Sequence, residues 1–231
     1  MTLIVGIDEA GRGALLGPLV VAGVVVDAEG EKKLKKLGVK DSKKLTPKRR
    51  EELAPKIEEI AKSVLVMRIQ PCRIDKLRGE GVNLDKIEAI KMAEIISMSD
   101  ANVVYVDSLT HNPKKFMSVI MEHMNDKSPE MNVENYADET YPVVSAASIV
   151  AKVERDKAIQ EIKDKVKVDF GVGYSHDERT IKFVEDLIKS RKPLPSFVRQ
   201  SWMTTQLLKE ASWQRKLQEF FKKEEVEEGI E

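Results

Sequence analysis

The chain has 231 residues, 34% of them charged, and its 39 Lys and Arg are balanced by 39 Asp and Glu. That length supports a sizeable core without small-scaffold staples, and the single cysteine, Cys72, excludes an intramolecular disulfide and fits a reducing compartment. No apolar run approaches the roughly 18 residues of a membrane span and no export signal is visible, so a soluble, cytoplasmic protein with no membrane partner is expected. The zero net charge is unevenly spread. Positions 32 to 56 hold eleven Lys or Arg against three acids, a local balance of +8, whereas positions 222 to 231 carry two Lys against five Glu, a balance of −3. A basic segment of this kind can hold a polyanion's backbone, although solvated helix faces account for many of these lysines.

In chain order, Leu3 to Ile7 reads as a short apolar strand that runs into Asp8 and Glu9 and then into the turn Gly11-Arg12-Gly13. Successive strand side chains face opposite ways, so the two acids can converge on one point only if the chain bends after them, as the glycines allow. Backbone N–H groups in such a turn can approach an anion closely. Gly11-x-Gly13-x-x-x-Gly17 is a poor dinucleotide loop, because the spacing is wrong and Pro18 with a second strand, Leu19 to Val26, follows where a helix should open. Thr46-Pro47 reads as N-cap and first helical residue of a basic helix that Pro55 should kink or interrupt. A strand over Val64 to Ile69 precedes an amphipathic helix capped by Asn83 and carrying Ile87, Ile90, Ala93 and Ile96.

Val103 to Val106 is a strand ending at Asp107, Asn112-Pro113 opens a helix with Phe116, Val119 and Ile120, and Asn132 to Tyr136 is a last strand leading to Asp138. No strand is expected after Tyr141; helices are expected near 143 to 166, 177 to 190 and 201 to 221, with Pro193 and Pro195 marking a turn before the last. The order is that of an α/β protein with a mixed sheet flanked by helices. We read 1–140 as the α/β catalytic core, 141–221 as a helical C-terminal region packed on it, and 222–231 as an acidic, disordered tail.

Asp8, Glu9, Asp107 and Asp138 all stand at strand exits, where ligands of α/β sheets gather. Two unit charges about 4 Å apart cost on the order of 4 kcal/mol at an effective dielectric near 20, so such a cluster requires cations or protons. Oxygen-only ligands favour Mg²⁺ or Mn²⁺ over Zn²⁺, and His111, His123 and His176 show no paired ligand spacing. Taken alone, Asp107 or Asp138 would be an ordinary solvated strand end.

The blocks Asp8-Glu9-Ala10-Gly11-Arg12-Gly13 with Gly17-Pro18, Asp41-Ser42-Lys43-Lys44-Leu45, Tyr105-Val106-Asp107-Ser108, Ala137-Asp138, Tyr141 through Lys152 and Glu154-Arg155-Asp156 cover most of residues 1 to 205. Together they resemble the signature of the type 2 ribonucleases H. The resemblance implies a ribonuclease H-like fold and Asp8, Glu9, Asp107 and Asp138 as catalytic ligands of two divalent ions, Mg²⁺ or Mn²⁺. It implies an endoribonuclease acting on RNA–DNA hybrids and on duplex DNA containing ribonucleotides, with 5′-phosphate and 3′-hydroxyl products and roles in primer clearance and ribonucleotide removal. The only direct handle for telling RNA from DNA at the sugar is the 2′-hydroxyl, which backbone groups of Gly11, Arg12 and Gly13 can reach. By resemblance Tyr174 lies against that sugar and Lys43 contacts a phosphate. Lys152 and Arg155, three apart on a predicted helix, can face phosphates or form a solvated face. The chain departs from the family pattern at Ala14, expected to loosen the turn, at Val172 and Ser175 around the tyrosine motif, and at Met203.

Gln214, Leu217, Phe220 and Phe221 fit a glutamine followed by paired aromatics and look like the box by which replication and repair proteins bind a sliding clamp. The other reading is that these side chains pack on the protein's own core. A monomer is expected. The rival functions are a non-catalytic hybrid-binding adaptor recruited to the clamp, which requires a broken carboxylate set, and a nuclease of the same fold acting on DNA junctions, disfavoured by Gly11-Arg12-Gly13 with Tyr174.

Overall fold

Five strands form one mixed sheet in the order β3-β2-β1-β4-β5, with β1 Ile4–Ala10, β2 Leu19–Val26, β3 Ser63–Ile69, β4 Val103–Asp107 and β5 Glu130–Glu134. The computed structural model describes residues 2–39, 45–108, 110–124 and 129–214. β2 runs antiparallel to both β1 and β3, and β1, β4 and β5 are mutually parallel. The helices are α1 Ala28–Leu37, α2 Pro47–Ile60, α3 Pro71–Gly79, α4 Leu84–Ser99, α5 Pro113–Met121, α6 Ala137–Thr140, α7 Pro142–Val166 and α8 Glu178–Lys189, with a further helical run over 203–214.

The period-2 alternation of β1 and β2 divides the interior. Ala10, Val20, Ala22, Val24 and Val26 face α7, α1 and α2, where they meet Val143, Val144, Ala147, Val150, Leu34 and Ile57. Val5, Ile7, Val21 and Val25 face α4 and α5, meeting Ile87, Met92, Ile95, Phe116 and Ile120. A smaller cluster of Leu15, Leu16, Ile159, Phe170, Val184 and Val198 ties the β1–β2 connection to the C-terminal helices. At Gly6 a Cβ atom would lie 2.4 Å from the carbonyl carbon of Val143. Backbone of β1 and backbone of α7 therefore touch directly, and α7 has one allowed height above the strand.

The expected helix caps form: Thr46 Oγ1 accepts from Arg49 N at 3.3 Å, Asn83 Oδ1 from Lys86 N at 2.9 Å and Asn112 Oδ1 from Lys115 N at 3.0 Å. α2 runs through Pro55 without interruption; Pro55 and Glu51 are both exposed, so water can replace the bond that proline cannot donate. α1 and α3 had no counterpart in the sequence reading, although Asp27, which accepts from Gly30 N at 2.8 Å, and Gly38 at φ 74° bracket α1 as N-cap and C-cap. β1 extends through Ala10, and β5 ends at Glu134 rather than reaching Tyr136, which has φ 63° and turns the chain into α6. Among the described residues no helix is long and apolar enough to cross a membrane.

Candidate active site

The parallel pairing of β1 with β4 ends at Ile7 and Val106, so the next residue of each strand, Asp8 and Asp107, lies on the α7 face of adjacent strands. Asp107 accepts the Ala137 N–H at 2.8 Å, which draws α6, and with it Asp138, over the ends of these strands. Asp138 therefore sits on a short helix rather than directly at a strand exit. Asp8, Asp107 and Asp138 each place one carboxylate oxygen within 4.8 Å of the others, and all three are buried. From α7, Ser148 hydrogen-bonds Asp8, and Lys152, whose Nζ bonds the Ser148 hydroxyl, adds a nearby positive charge.

Glu9, next along the strand, points to the opposite face and lies outside that trio, yet it remains within electrostatic reach of Asp8 and Asp107. Burial pushes the Asp8 carboxyl above its ordinary value, with Lys152 and the Ser148 hydrogen bond opposing. Burial and the charges of Asp8 and Asp107 push Glu9 well up, against the pull of Arg12 and Lys152. Hard oxygen donors that are buried, crowded and short of positive charge fit divalent cations such as Mg²⁺ or Mn²⁺.

A pH dependence follows with a definite sign. Both raised carboxyls hold more protons folded than unfolded above their ordinary values of 3.8 and 4.5, so the metal-free protein loses stability as pH rises through that window. The melting temperature without metal is expected to be lower at pH 8 than at pH 5, in a chelator-treated thermal scan. If these carboxyls take a divalent ion, added Mg²⁺ or Mn²⁺ should recover more of it at pH 8, where they are ionised.

Beside the carboxylates, the turn through Gly11, with φ 86°, is held from the C-terminal region. The Gly173 carbonyl accepts from Leu15 N at 2.8 Å and Leu16 N at 3.1 Å, and the Phe197 carbonyl accepts from Gly17 N at 2.9 Å. Arg199, fully buried, donates from Nη1 to the Arg12 carbonyl at 2.7 Å and from Nε to the Gly17 carbonyl at 3.2 Å. Burial pushes its guanidinium down to about 9. Arg199 was missed as a functional residue; a cation directly after the apolar Phe197-Val198 pair was its available signal. Ala14 does not loosen the turn: its N–H donates to the Gly11 carbonyl at 3.3 Å, a bond that a proline there could not make.

Ala14 also bridges to Tyr174, bringing that ring to the turn. The Arg155 guanidinium lies 4.4 Å from the Tyr174 ring centroid, and the His176 ring stacks on Tyr174 at 5.5 Å. Arg155 is not part of a solvated face: it is buried under Tyr174 and bonded to the Val172 carbonyl, while the half-buried Lys152 bonds Ser148 and lies near Asp8. Arg12 turns its side chain away to Asp85 and Glu88 on α4. Val172 and Met203, two of the departures, are exposed. Lys43, Leu217, Phe220 and Phe221 lie outside the described residues; Gln214 is exposed on the helical run that reaches it.

The family model for ribonuclease HII matches residues 5–205, spanning the carboxylates, the glycine turn and Tyr174. The chain belongs to the ribonuclease HII family. It is 44% identical to a ribonuclease HII of Methanothermobacter thermautotrophicus over 209 residues, covering 90% of this chain and 99% of the relative. The crystal structure of the ribonuclease H2 from Pyrococcus horikoshii superposes with a TM-score of 0.83 at 36% identity, covering 91% of this chain and 98% of the other. A chain from the PCNA:RNase HII complex of Archaeoglobus fulgidus superposes with a TM-score of 0.79 at 42% identity, covering 87% and 95%. As a ribonuclease HII the protein is a metal-dependent endoribonuclease, and the family's activity is on RNA in RNA–DNA hybrids.

Proposed function

We propose that this ribonuclease HII cuts both RNA–DNA hybrids and duplex DNA at embedded ribonucleotides, leaving 5′-phosphate and 3′-hydroxyl ends. The observation carrying this reading is the buried trio Asp8, Asp107 and Asp138 beside the Gly11-Arg12-Gly13 turn and Tyr174. Asp8, Asp107 and Asp138, with Glu9 reaching from the opposite strand face, are the side chains that would hold two divalent ions, Mg²⁺ or Mn²⁺. Bound there, a pair of such ions supplies an activated water and charge stabilisation for the leaving 3′ oxygen in an in-line displacement.

The remaining work belongs to the chain. Backbone groups of the turn present donors and acceptors to the 2′-hydroxyl, while Tyr174, backed by Arg155, closes the sugar's other side. A site built to hydrogen-bond a hydroxyl rejects the deoxy analogue by about 10⁴ to 10⁵. Lys43 completes the set as a phosphate contact. These activities suit primer clearance and ribonucleotide removal by a monomer in the cytoplasm. The relative solved with PCNA supports clamp recruitment here through Gln214, Leu217, Phe220 and Phe221. The adaptor alternative is disfavoured because all four acids are present.

The test is cleavage of three labelled substrates, a duplex with one ribonucleotide, an all-DNA duplex and a hybrid, with Mg²⁺, Mn²⁺ or chelator. Metal-dependent cutting of the first and third alone is expected; equal cutting of all-DNA would refute 2′-hydroxyl recognition, and binding without cutting by a folded protein would favour the adaptor. Deleting 214–231 is expected to abolish binding to an archaeal sliding clamp in surface plasmon resonance and leave clamp-free cleavage largely unchanged. Loss of folding on deletion would instead place these side chains in the core.

A further inference from the structure

α4 turns its apolar face to the sheet through Ile87, Met92, Ile95 and Ile96, and within that buried surface stands a carboxylate, Glu88, only 2% exposed. Its Oε2 takes Nη1 of Arg12, while Asp85, one turn earlier and half in solvent, takes Nη2. Glu88 Oε1 has no hydrogen-bond partner. A buried charge with a half-unsatisfied carboxylate is poor stabilisation and is strongly disfavoured without its cation. The geometry therefore calls for another use, which the place of Arg12 supplies. Arg12 lies between Gly11 and Gly13, and the turn's backbone is held from the C-terminal side, with Arg199 fixing the Arg12 carbonyl. The fork from α4 fixes the other end of the same residue.

We infer that Glu88, assisted by Asp85, is a positioning residue that locks the Gly11-Arg12-Gly13 backbone at one height beside the carboxylates and so sets ribose discrimination. The inference rests on the reading that this turn recognises the 2′-hydroxyl. Arg12 in this arrangement is spent inward on α4: its guanidinium serves the turn's geometry, and the turn presents backbone to the sugar. Glu88 touches no substrate and acts through Arg12 alone.

The test uses the full-length enzyme with Mg²⁺ and compares wild type, Glu88→Gln and Asp85→Asn on the duplex with one ribonucleotide and on the all-DNA duplex, with a melting temperature for each. Glu88→Gln keeps the shape and removes the charge. It is expected to lower kcat about 10- to 100-fold with KM little changed, since displacement of a recognition group by about 1 Å costs on the order of 10². The ratio of ribonucleotide to all-DNA cleavage should fall with it. Asp85→Asn, on an exposed carboxylate, should fold normally and shift kcat and the ratio in the same direction by less, so the inference can be read even if Glu88→Gln proves unstable. A lower melting temperature with kcat and the ratio unchanged in both variants would make the pair merely structural and overturn the inference. Wild type that cuts both duplexes equally would instead remove the ribose reading on which it stands, a failure visible before any variant is made.

Discussion

Asp8→Asn is expected to reduce cleavage of a single-ribonucleotide duplex by about 10³ or more while raising the melting temperature of the metal-free protein. The two effects have one cause. Asp8 is buried beside Asp107 and Asp138, and burial raises its carboxyl against the help of Lys152 and Ser148. Replacing it with a neutral amide of the same shape relieves desolvation and like-charge repulsion, so the empty fold gains. Under the proposed two-ion reading, the same change replaces an anionic oxygen donor with a neutral amide, and the lost transition-state charge stabilisation of several kcal/mol corresponds to that rate factor. Added Mn²⁺ should raise the melting temperature of wild type more than that of Asp8→Asn. A variant that retained wild-type rates, or that melted below the metal-free wild type, would show Asp8 to be a structural carboxylate.

The second large effect is on folding. Gly6→Ala places a methyl group 2.4 Å from the Val143 carbonyl carbon, 2.5 Å from its oxygen and 2.5 Å from the Val144 nitrogen, all backbone atoms that no rotamer change can move aside. α7 must rise off β1 or the strand must shift, at a cost of about 3 kcal/mol or more, the upper part of the range for overpacking. Two residues on, Asp8 depends on the same strand-to-helix spacing for its partners Ser148 and Lys152. Denaturant titration should show the lost stability. Cleavage by the fraction still folded should also fall, whereas Gly13→Ala, where a Cβ meets nothing within 4 Å, should fold as wild type.

Much of this fold was legible because its strands are short and β-branched and its helices carry their caps in sequence. Leu19–Val26 is the predicted second strand to the residue, and the predicted caps Thr46, Asn83 and Asn112 open α2, α4 and α5. α1 and α3 escaped because their lysine and arginine content reads as solvated surface, and only one side of each is buried. The shift of β5 came from reading Tyr136 as a β-former, while the chain needs a left-handed residue there to swing Asp138 inward. At the site, motif spacing singled out the acids but not their faces. Asp8 and Glu9 diverge across the strand as period-2 alternation requires, because β1 continues through Ala10 and no bend brings the two side chains to one face. Arg155, offered as a solvated or phosphate-facing cation, and Arg199, not singled out at all, are both buried, each beside a backbone carbonyl and an aromatic ring.

One unbroken helix, α7, carries Lys152 toward Asp8 and, three residues later, Arg155 under Tyr174. Three residues of helix advance about 4.5 Å and turn by most of a revolution, and neither quantity adjusts. Under the proposed reading α7 is a gauge: the separation between the sugar that is recognised and the bond that is broken is fixed by helical pitch. Such an enzyme is committed to a single phosphodiester beside each ribonucleotide it recognises. One extra residue between Lys152 and Arg155 would turn the gauge by about 100° and uncouple measuring from cutting.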